Sequence, residues 1–309
     1  MAQPSPPLFI VFDLRTAGAV LAPAAQRLSA RLQAAGQAHE LLWLGEEDEL
    51  GTVAGRAVHA AREAEGAVVV AGPPAMVNAA AQLVWNARLV FGVLPLEAGV
   101  EFAVGDALAS DPETAAQALQ QARVHERPVG LLGERMFLAD AELGLLPWTA
   151  HAAAPAAHPA DGGGLHTWRS NLASLLGGRS LLTLQAHAHG RMRVVRTRSL
   201  RVRCPQPVEH SPDAARTLAA SEWLATSLRP PPLPQALWRA VRGLDDQLQD
   251  AAVEHFSFQR LLVRPRRGGH AITVRLDGEI LSMHAPLVIQ PAPWPLRLLL
   301  PAASPAGAV

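Results

Sequence analysis

The first ~125 residues alternate short apolar runs with stretches of helical periodicity, and this alternation narrows the possible folds more than any other feature of the chain. Leu8 to Phe12, Glu40 to Leu44, Ala67 to Ala71 and Leu89 to Leu94 read as strands, and Leu21 to Ala35, Val53 to Ala64 and Pro74 to Asn86 as helices. Strands and helices in strict turn predict βαβ units and a mostly parallel sheet. Leu28 and Leu32 stand four apart, with Gly36 placed to cap the first helix. Ser110-Asp111-Pro112-Glu113 puts a capping side chain before a first-turn proline and a carboxylate, which opens a further helix to about Val124.

After Arg127 the pattern changes. Val129 to Leu132 and Arg135 to Leu138 predict a hairpin around Gly133-Glu134, and Ser180 to His187 with Met192 to Cys204 predict a second. Thr149 to Gly164 reads as a surface loop rich in alanine, proline and glycine. Helical patterns over Asp213 to Leu228 and Gln235 to Val253 flank Pro230-Pro231-Pro232, and strands over Phe258 to Val263, Ala271 to Leu276 and Leu296 to Leu300 follow. The fold class expected is therefore α/β plus β-rich. A mostly parallel N-terminal domain over 1–127 is completed by a returning C-terminal strand within 295–309, and an antiparallel β domain spans 128–294. No internal repeat is visible.

A chain of 309 residues with 27 basic and 27 acidic side chains exerts no long-range pull on polyanions, so only a local patch could do so. All 27 basic residues are arginine, so no lysine is present to clamp a phosphate or form a Schiff base. Cys204 is the single cysteine, which excludes an internal disulfide and a cysteine-rich zinc site and suits a reducing compartment. Met1 to Pro7 lacks a basic region followed by an apolar core, and no apolar run reaches about 18 residues. A cytoplasmic location is expected, with peripheral contact at the inner membrane face as its variant.

Val68-Val69-Val70-Ala71-Gly72-Pro73-Pro74-Ala75-Met76-Val77-Asn78 begins as a buried strand entering a glycine turn. It resembles the hallmark of the diacylglycerol kinase and sphingosine kinase superfamily, including bacterial YegS-type lipid kinases: an apolar strand ending in Gly-Gly-Asp-Gly-Thr, then Asn-Glu on the next helix. Gly72 stands at the first glycine and Asn78 at the asparagine, while Pro73, Pro74, Ala75 and Met76 replace the centre and Ala79 the glutamate. Val93-Leu94-Pro95-Leu96 followed by Phe102-Ala103 keeps the apolar frame of the family's Pro-Leu-Gly-Thr and Asn-Asp-Phe-Ala. Asp13-Leu14-Arg15-Thr16-Ala17-Gly18 partly matches its Asn-Pro-x-Ser-Gly. Val129 to Leu138 is similar to the entry into its second domain, and Val274-Arg275-Leu276-Asp277-Gly278-Glu279 with Leu296 to Pro301 to its Asp-Gly-Glu and closing strand.

The resemblance covers most of the chain in order and spacing, and it implies a nucleotide-binding α/β domain followed by a β-rich domain. It implies ATP and Mg²⁺ as cofactors and a lipid alcohol such as diacylglycerol or a sphingoid base as acceptor. On the matching positions it places Arg15, Thr16, Gly18, Gly72 and Asn78 toward the nucleotide, and Asp277 and Glu279 as the acidic residues at the acceptor. No metal ligand is assigned. A tight Asp277-Gly278 turn between Ala271 to Leu276 and the following strand, with a solvated Glu279, is the alternative for the acidic pair.

Phosphoryl transfer relies on backbone donors and cations that position and neutralise the phosphates. Glycines allow the backbone to approach them closely, whereas proline at 73 and 74 removes two amide hydrogens and fixes φ near −65°. Met76 adds bulk and removes a hydroxyl, and Pro74 removes a carboxylate. The expectation is a lipid kinase-like protein with lost or weakened ATP binding, a pseudokinase. The alternatives are an active lipid kinase using ATP and Mg²⁺ and a non-catalytic protein that binds a lipid or a partner. Altered nucleotide use, as in the distantly similar NAD kinases, ranks below them.

Other groupings have simpler readings. His187-Ala188-His189 would set two imidazoles on one strand face, yet the residues around His151, His158 and His166 lack zinc-site spacing. The arginines at 191, 193, 196, 198, 201 and 203, with 264, 266 and 267, read as a solvated strand face or as attraction to anionic lipid headgroups. No aromatic residues interleave with them to stack bases, so nucleic acid is not an expected partner. Trp223, Leu224 and Leu228, and Leu237, Val241 and Leu244, read as apolar helix faces that either fill a core or line an acyl cleft. No Gly-x-Ser-x-Gly elbow supports a hydrolase.

Overall fold

The computed structural model describes residues 6–94, 112–144, 182–205, 223–228, 253–265 and 271–300. The chain divides into two compact units, the first containing Met1–Val129 and Ala292–Val309, the second Gly130–Pro205 and Ser221–Pro291. The surface loop expected over Thr149 to Gly164, the segment Pro95 to Ala103 and all but the last residue of the helix expected over Gln235 to Val253 lie outside the described residues. Val253 itself opens a strand.

The first unit runs β1 (Leu8–Asp13), α1 (Leu14–Ala34), β2 (His39–Leu44), α2 (Leu50–Glu63), β3 (Ala67–Ala71), α3 (Pro74–Asn86), β4 (Val90–Val93), α4 (Pro112–Gln121), β5 (Arg123–Arg127) and, from the chain's end, β18 (Leu296–Leu300). Its sheet has the order β2-β1-β3-β4-β18-β5. All pairs are parallel except β18 with β5. The returning strand is thus an interior strand of the sheet. Strand β5 departs from expectation, since the helix predicted to about Val124 ends at Gln121 and the next residues pair along β18. Its Arg-Val-His-Glu-Arg sequence suits an edge, where exposed charge blunts further pairing.

Strands β1 and β3 are buried throughout, as a parallel sheet covered on both faces requires. Ile10, Phe12, Val69 and Ala71 share a core with Ala25, Leu28 and Leu32 of α1. Helix α1 starts at Leu14, earlier than predicted, and keeps Pro23 inside it. It ends as expected at Gly36, whose φ of +71° lets the Gln37 N–H reach the Leu32 carbonyl at 2.9 Å. Helix α3 ends in the same motif with Arg88 at φ +57° and a Leu89 N–H to Val84 carbonyl bond of 3.1 Å. Trp85 and Trp294 stack at 5.0 Å, each indole donating to the other's carbonyl at 3.1 and 3.3 Å, and the Arg88 guanidinium lies 4.2 Å from the Trp294 ring centre. This clamp fixes the chain onto α3 just before β18.

The second unit is all antiparallel. Its strands are β6 (Gly130–Leu132), β7 (Arg135–Phe137), β8 (Asp140–Gly144), β9 (Leu182–Ala188), β10 (Arg191–Thr197) and β11 (Ser199–Arg203), then β12 (Trp223–Leu228), β13 (Val253–Phe258), β14 (Arg260–Pro265), β15 (Ala271–Leu276), β16 (Glu279–His284) and β17 (Leu287–Pro291). One sheet has the order β10-β9-β14-β17-β6-β7 and the other β13-β12-β11-β8-β15-β16. Alternate residues of both enter one core, in which Phe137 of the first sheet meets Trp223 of the second edge to face.

Trp223 to Leu228 is a strand, not the end of a helix. Trp223, Ala225 and Ser227 are buried and Leu224 is exposed, a period of two that the apolar spacing mimicked at helical intervals. The run predicted from Met192 to Cys204 breaks at Arg198 into β10 and β11, which belong to different sheets, and Phe258 to Val263 breaks at Gln259.

Candidate functional site

In the first unit, the connection from β1 leads to β2 on one side and that from β3 leads to β4 on the other, so the carboxyl ends of β1 and β3 flank the switch point of the sheet. In open α/β sheets this is where ligands bind. Asp13 ends β1 and Gly72 follows β3.

Asp13 is fully buried and is the N-cap of α1. One carboxylate oxygen accepts from the Arg15 backbone N–H at 3.0 Å and from its Nε at 2.9 Å; the other accepts from the Arg15 guanidinium at 2.6 Å. Burial alone would raise the Asp13 pKa, but the Arg15 hydrogen bonds and charge outweigh it and hold the carboxyl below its ordinary value, while Arg15 is pushed up. The floor of the switch point therefore carries an ionised carboxylate whose counter-ion comes from the chain itself.

Gly72 is the point of close approach. A Cβ there would stand 2.5 Å from the Met76 sulfur and 3.0 Å from the Asp13 Cβ, so the buried Met76 side chain packs directly over the glycine. Pro73 caps α3 without a side-chain hydrogen bond, Pro74 occupies its first turn, and the Val77 N–H closes that turn on the Pro73 carbonyl at 3.1 Å. A helix N-terminus ordinarily offers several amides to an anion. Here the two prolines have none, which leaves those of Ala75 and Met76. Asn78 is half-buried one turn further on.

Arg15, Thr16 and Gly18 fall within α1, not in a loop before it. The capping carboxylate of Asp13 explains the early start, because it satisfies the first free amide directly after the strand. Arg15 and Gly72 thus meet at the switch point through Asp13, a residue that sequence reasoning noticed only as part of a degraded motif.

Asp277 and Glu279 lie in the second unit. Asp277 (φ +48°) and Gly278 (φ +91°) form the two-residue turn between β15 and β16. The Asp277 carboxylate accepts the amides of Leu138, Ala139 and Asp140 at 2.6, 2.7 and 3.0 Å, fastening the connection from β7 to β8. Burial raises its pKa, with the three amides pulling the other way. Glu279 is half-buried at the start of β16. Beside this turn, Glu142 of β8 is buried between its cross-strand neighbours Arg201 and Arg275, 3.2 Å from Arg201 Nε; Arg201 also pairs with Asp140. Burial pushes the Glu142 carboxyl up. The alternation of Arg201 with apolar neighbours predicted a solvated arginine, and only the register against β8 reveals the partner.

Among the described residues no three His, Cys, Asp or Glu side chains gather as metal ligands. His189 falls in the turn after β9, away from the strand position expected for it.

An open α/β sheet joined in one chain to a two-sheet β unit is the fold class of this protein. Solved structures share this fold over nearly the whole of both chains. A diacylglycerol kinase from Bacillus anthracis str. Sterne is 13% identical over 97% of this chain and 97% of its own, with a TM-score of 0.59. A candidate diacylglycerol kinase from the same organism is 13% identical over 98% and 100%, with a TM-score of 0.63. The chain has their fold. No family model matches the sequence, and no curated protein does.

Proposed function

We propose that this chain is a diacylglycerol kinase-like protein that binds a lipid or a partner without transferring phosphoryl groups. The observation that carries the reading is the filled switch point. An ionised Asp13, already neutralised by Arg15, sits where a phosphate would need cations, and Met76 packs over the one glycine that would admit it. Two prolines reduce the donors of α3. These residues do not fit a nucleoside triphosphate with Mg²⁺, so no catalytic step through that group is derived. The names of the fold relatives point to diacylglycerol or a related lipid as the ligand class.

The second reading is an active lipid kinase, favoured by the retention of Asp277 and Glu279. The amide contacts of Asp277 give it a holding role in the hairpin, which weakens its case as a proton acceptor.

A thermal-melt series with Mg²⁺–ATP, Mg²⁺–ADP and Mg²⁺ alone tests the proposal, since a ligand held only by the folded state raises the melting temperature. No saturable nucleotide shift is expected. Transfer of phosphate to diacylglycerol or a sphingoid base, abolished by Glu279→Ala, would establish the second reading instead.

A further inference from the structure

The arginines of the second unit separate by strand register into two groups with different surroundings. Arg193 points toward β13 and pairs with Glu254, while Arg201 pairs with Asp140 and Glu142. These are internal partners.

The outer face of the sheet that begins β10-β9-β14-β17 is different. Its inward residues, among them Leu184, Val195, Leu261 and Ile289, belong to the core, which leaves the alternate positions facing outward. Register aligns them in three rungs. Arg196, Thr183 and Arg264 form one; Val194, Gln185, Leu262 and Val288 the next; Met192, His187 and Arg260 the third. Met192 and Val194 are 59% and 53% exposed, and Arg196, Arg260 and Arg264 are exposed too. No rung carries a carboxylate.

We infer that this face docks on an anionic phospholipid bilayer. Arginines commonly guard an edge strand against pairing, which would account for Arg196 on β10. It does not account for Arg260 and Arg264 on β14, an interior strand, or for Met192 and Val194, two large apolar side chains left in water on the same outer face. An apolar centre flanked by arginines suits a lipid surface: the long stems lie along the acyl boundary and the guanidinium heads reach the phosphates. The face has no Phe, Tyr or Trp among its rungs and His187 as its single ring, so it offers no row of rings on which successive bases could stack. The inference is independent of whether the first unit holds a nucleotide, and its test reads no activity.

The experiment is co-sedimentation of the full chain with vesicles of phosphatidylglycerol and phosphatidylcholine, and with vesicles of phosphatidylcholine alone. The wild type should bind only the former, more weakly as salt rises. Arg196→Ala/Arg264→Ala should weaken binding about thirtyfold, the factor equivalent to about 1 kcal/mol per arginine near an anionic surface. Met192→Ser/Val194→Ser should weaken it as well. Arg56→Ala/Arg62→Ala, which removes equal charge from exposed positions on α2, should bind as the wild type does. Circular-dichroism melts would show that each variant folds. Absence of binding to anionic vesicles, or equal loss in the α2 control, would overturn the inference. So would retention on an acidic protein or polynucleotide, lost in Arg196→Ala/Arg264→Ala, without vesicle binding.

Discussion

Asp13 and Arg15 close on each other across two residues, the arginine giving its backbone amide, its Nε and its guanidinium terminus to the two oxygens of one buried carboxylate. The pair caps α1 and fixes the charge at the end of β1 in a single arrangement. Asp13→Ala removes the cap and leaves Arg15 without its acceptor, and should destabilise the protein by about 2 kcal/mol in urea unfolding, the sum of a lost N-cap and a charged hydrogen bond.

The same pair sets an acid limit. Because the Asp13 carboxyl is held below its ordinary value in the folded state, its contribution is complete above about pH 4, the unfolded value, and disappears as pH falls through the folded value. The stability gap between the wild type and Asp13→Asn should therefore be constant at neutral pH and shrink progressively below about pH 4. A gap that stayed constant into strong acid would show that the carboxylate is not held in this way.

Asp277 should act in the opposite sense. Burial raises its pKa, so the folded state holds a proton more tightly than the unfolded chain and stability declines as pH rises from about 4 through the folded value. Asp277→Asn should flatten that decline in equilibrium unfolding measured at successive pH values. Asp277→Ala leaves the amides of Leu138, Ala139 and Asp140 without their acceptor and should cost about 3 kcal/mol near pH 4, the gap narrowing as pH rises through the folded value.

The first unit was legible because its signals are local. Strand Ala67–Ala71 and helix Pro74–Asn86 were predicted to the residue, since an unbroken β-branched run followed by proline leaves few alternatives. The second unit was harder. Trp223 to Leu228 carries apolar residues at positions that fit either period, and only pairing with β11 and β13 decides between them. Strand β16 was implied only by the tight-turn alternative for Asp277-Gly278 and given no bounds, because it lies half in solvent: Ile280 is 60% exposed and no residue of the strand is fully buried. At the switch point, Gly72 and the prolines were readable from sequence, but the burial of Asp13 was not. That burial depends on β3 lying beside β1, a contact between residues about 60 positions apart.

Gly72 tests how tightly the switch point is filled. Gly72→Ala would push its new methyl against the Met76 sulfur and the Asp13 Cβ, and overpacking of this kind costs about 1–3 kcal/mol. Met76→Ala should cost a similar amount through the cavity it leaves. The two together should cost less than their sum, because the methyl occupies part of the space vacated by the thioether. Additive losses in urea unfolding would mean that Met76 does not fill the site.

The stacked Trp85–Trp294 pair is the last point of leverage, and it bears on how the chain's end is held in the first sheet. Each indole donates to the other's carbonyl, and Arg88, kept at a positive φ by the end of α3, covers the Trp294 ring. Trp294→Ala removes the stack, the hydrogen bond donated by the Trp294 indole and the cation–π contact at once, while the carbonyl that accepts from the Trp85 indole stays, so a loss of about 3–5 kcal/mol is expected. Because Trp294 directly precedes β18, hydrogen exchange should rise first along Leu296–Leu300 and at its neighbours in β4 and β5, while β1 and β2 remain protected. Arg88→Gly would discriminate the contributions: it relieves the left-handed backbone at this position yet removes the cation, and a net loss of stability would assign the greater weight to the ring contact.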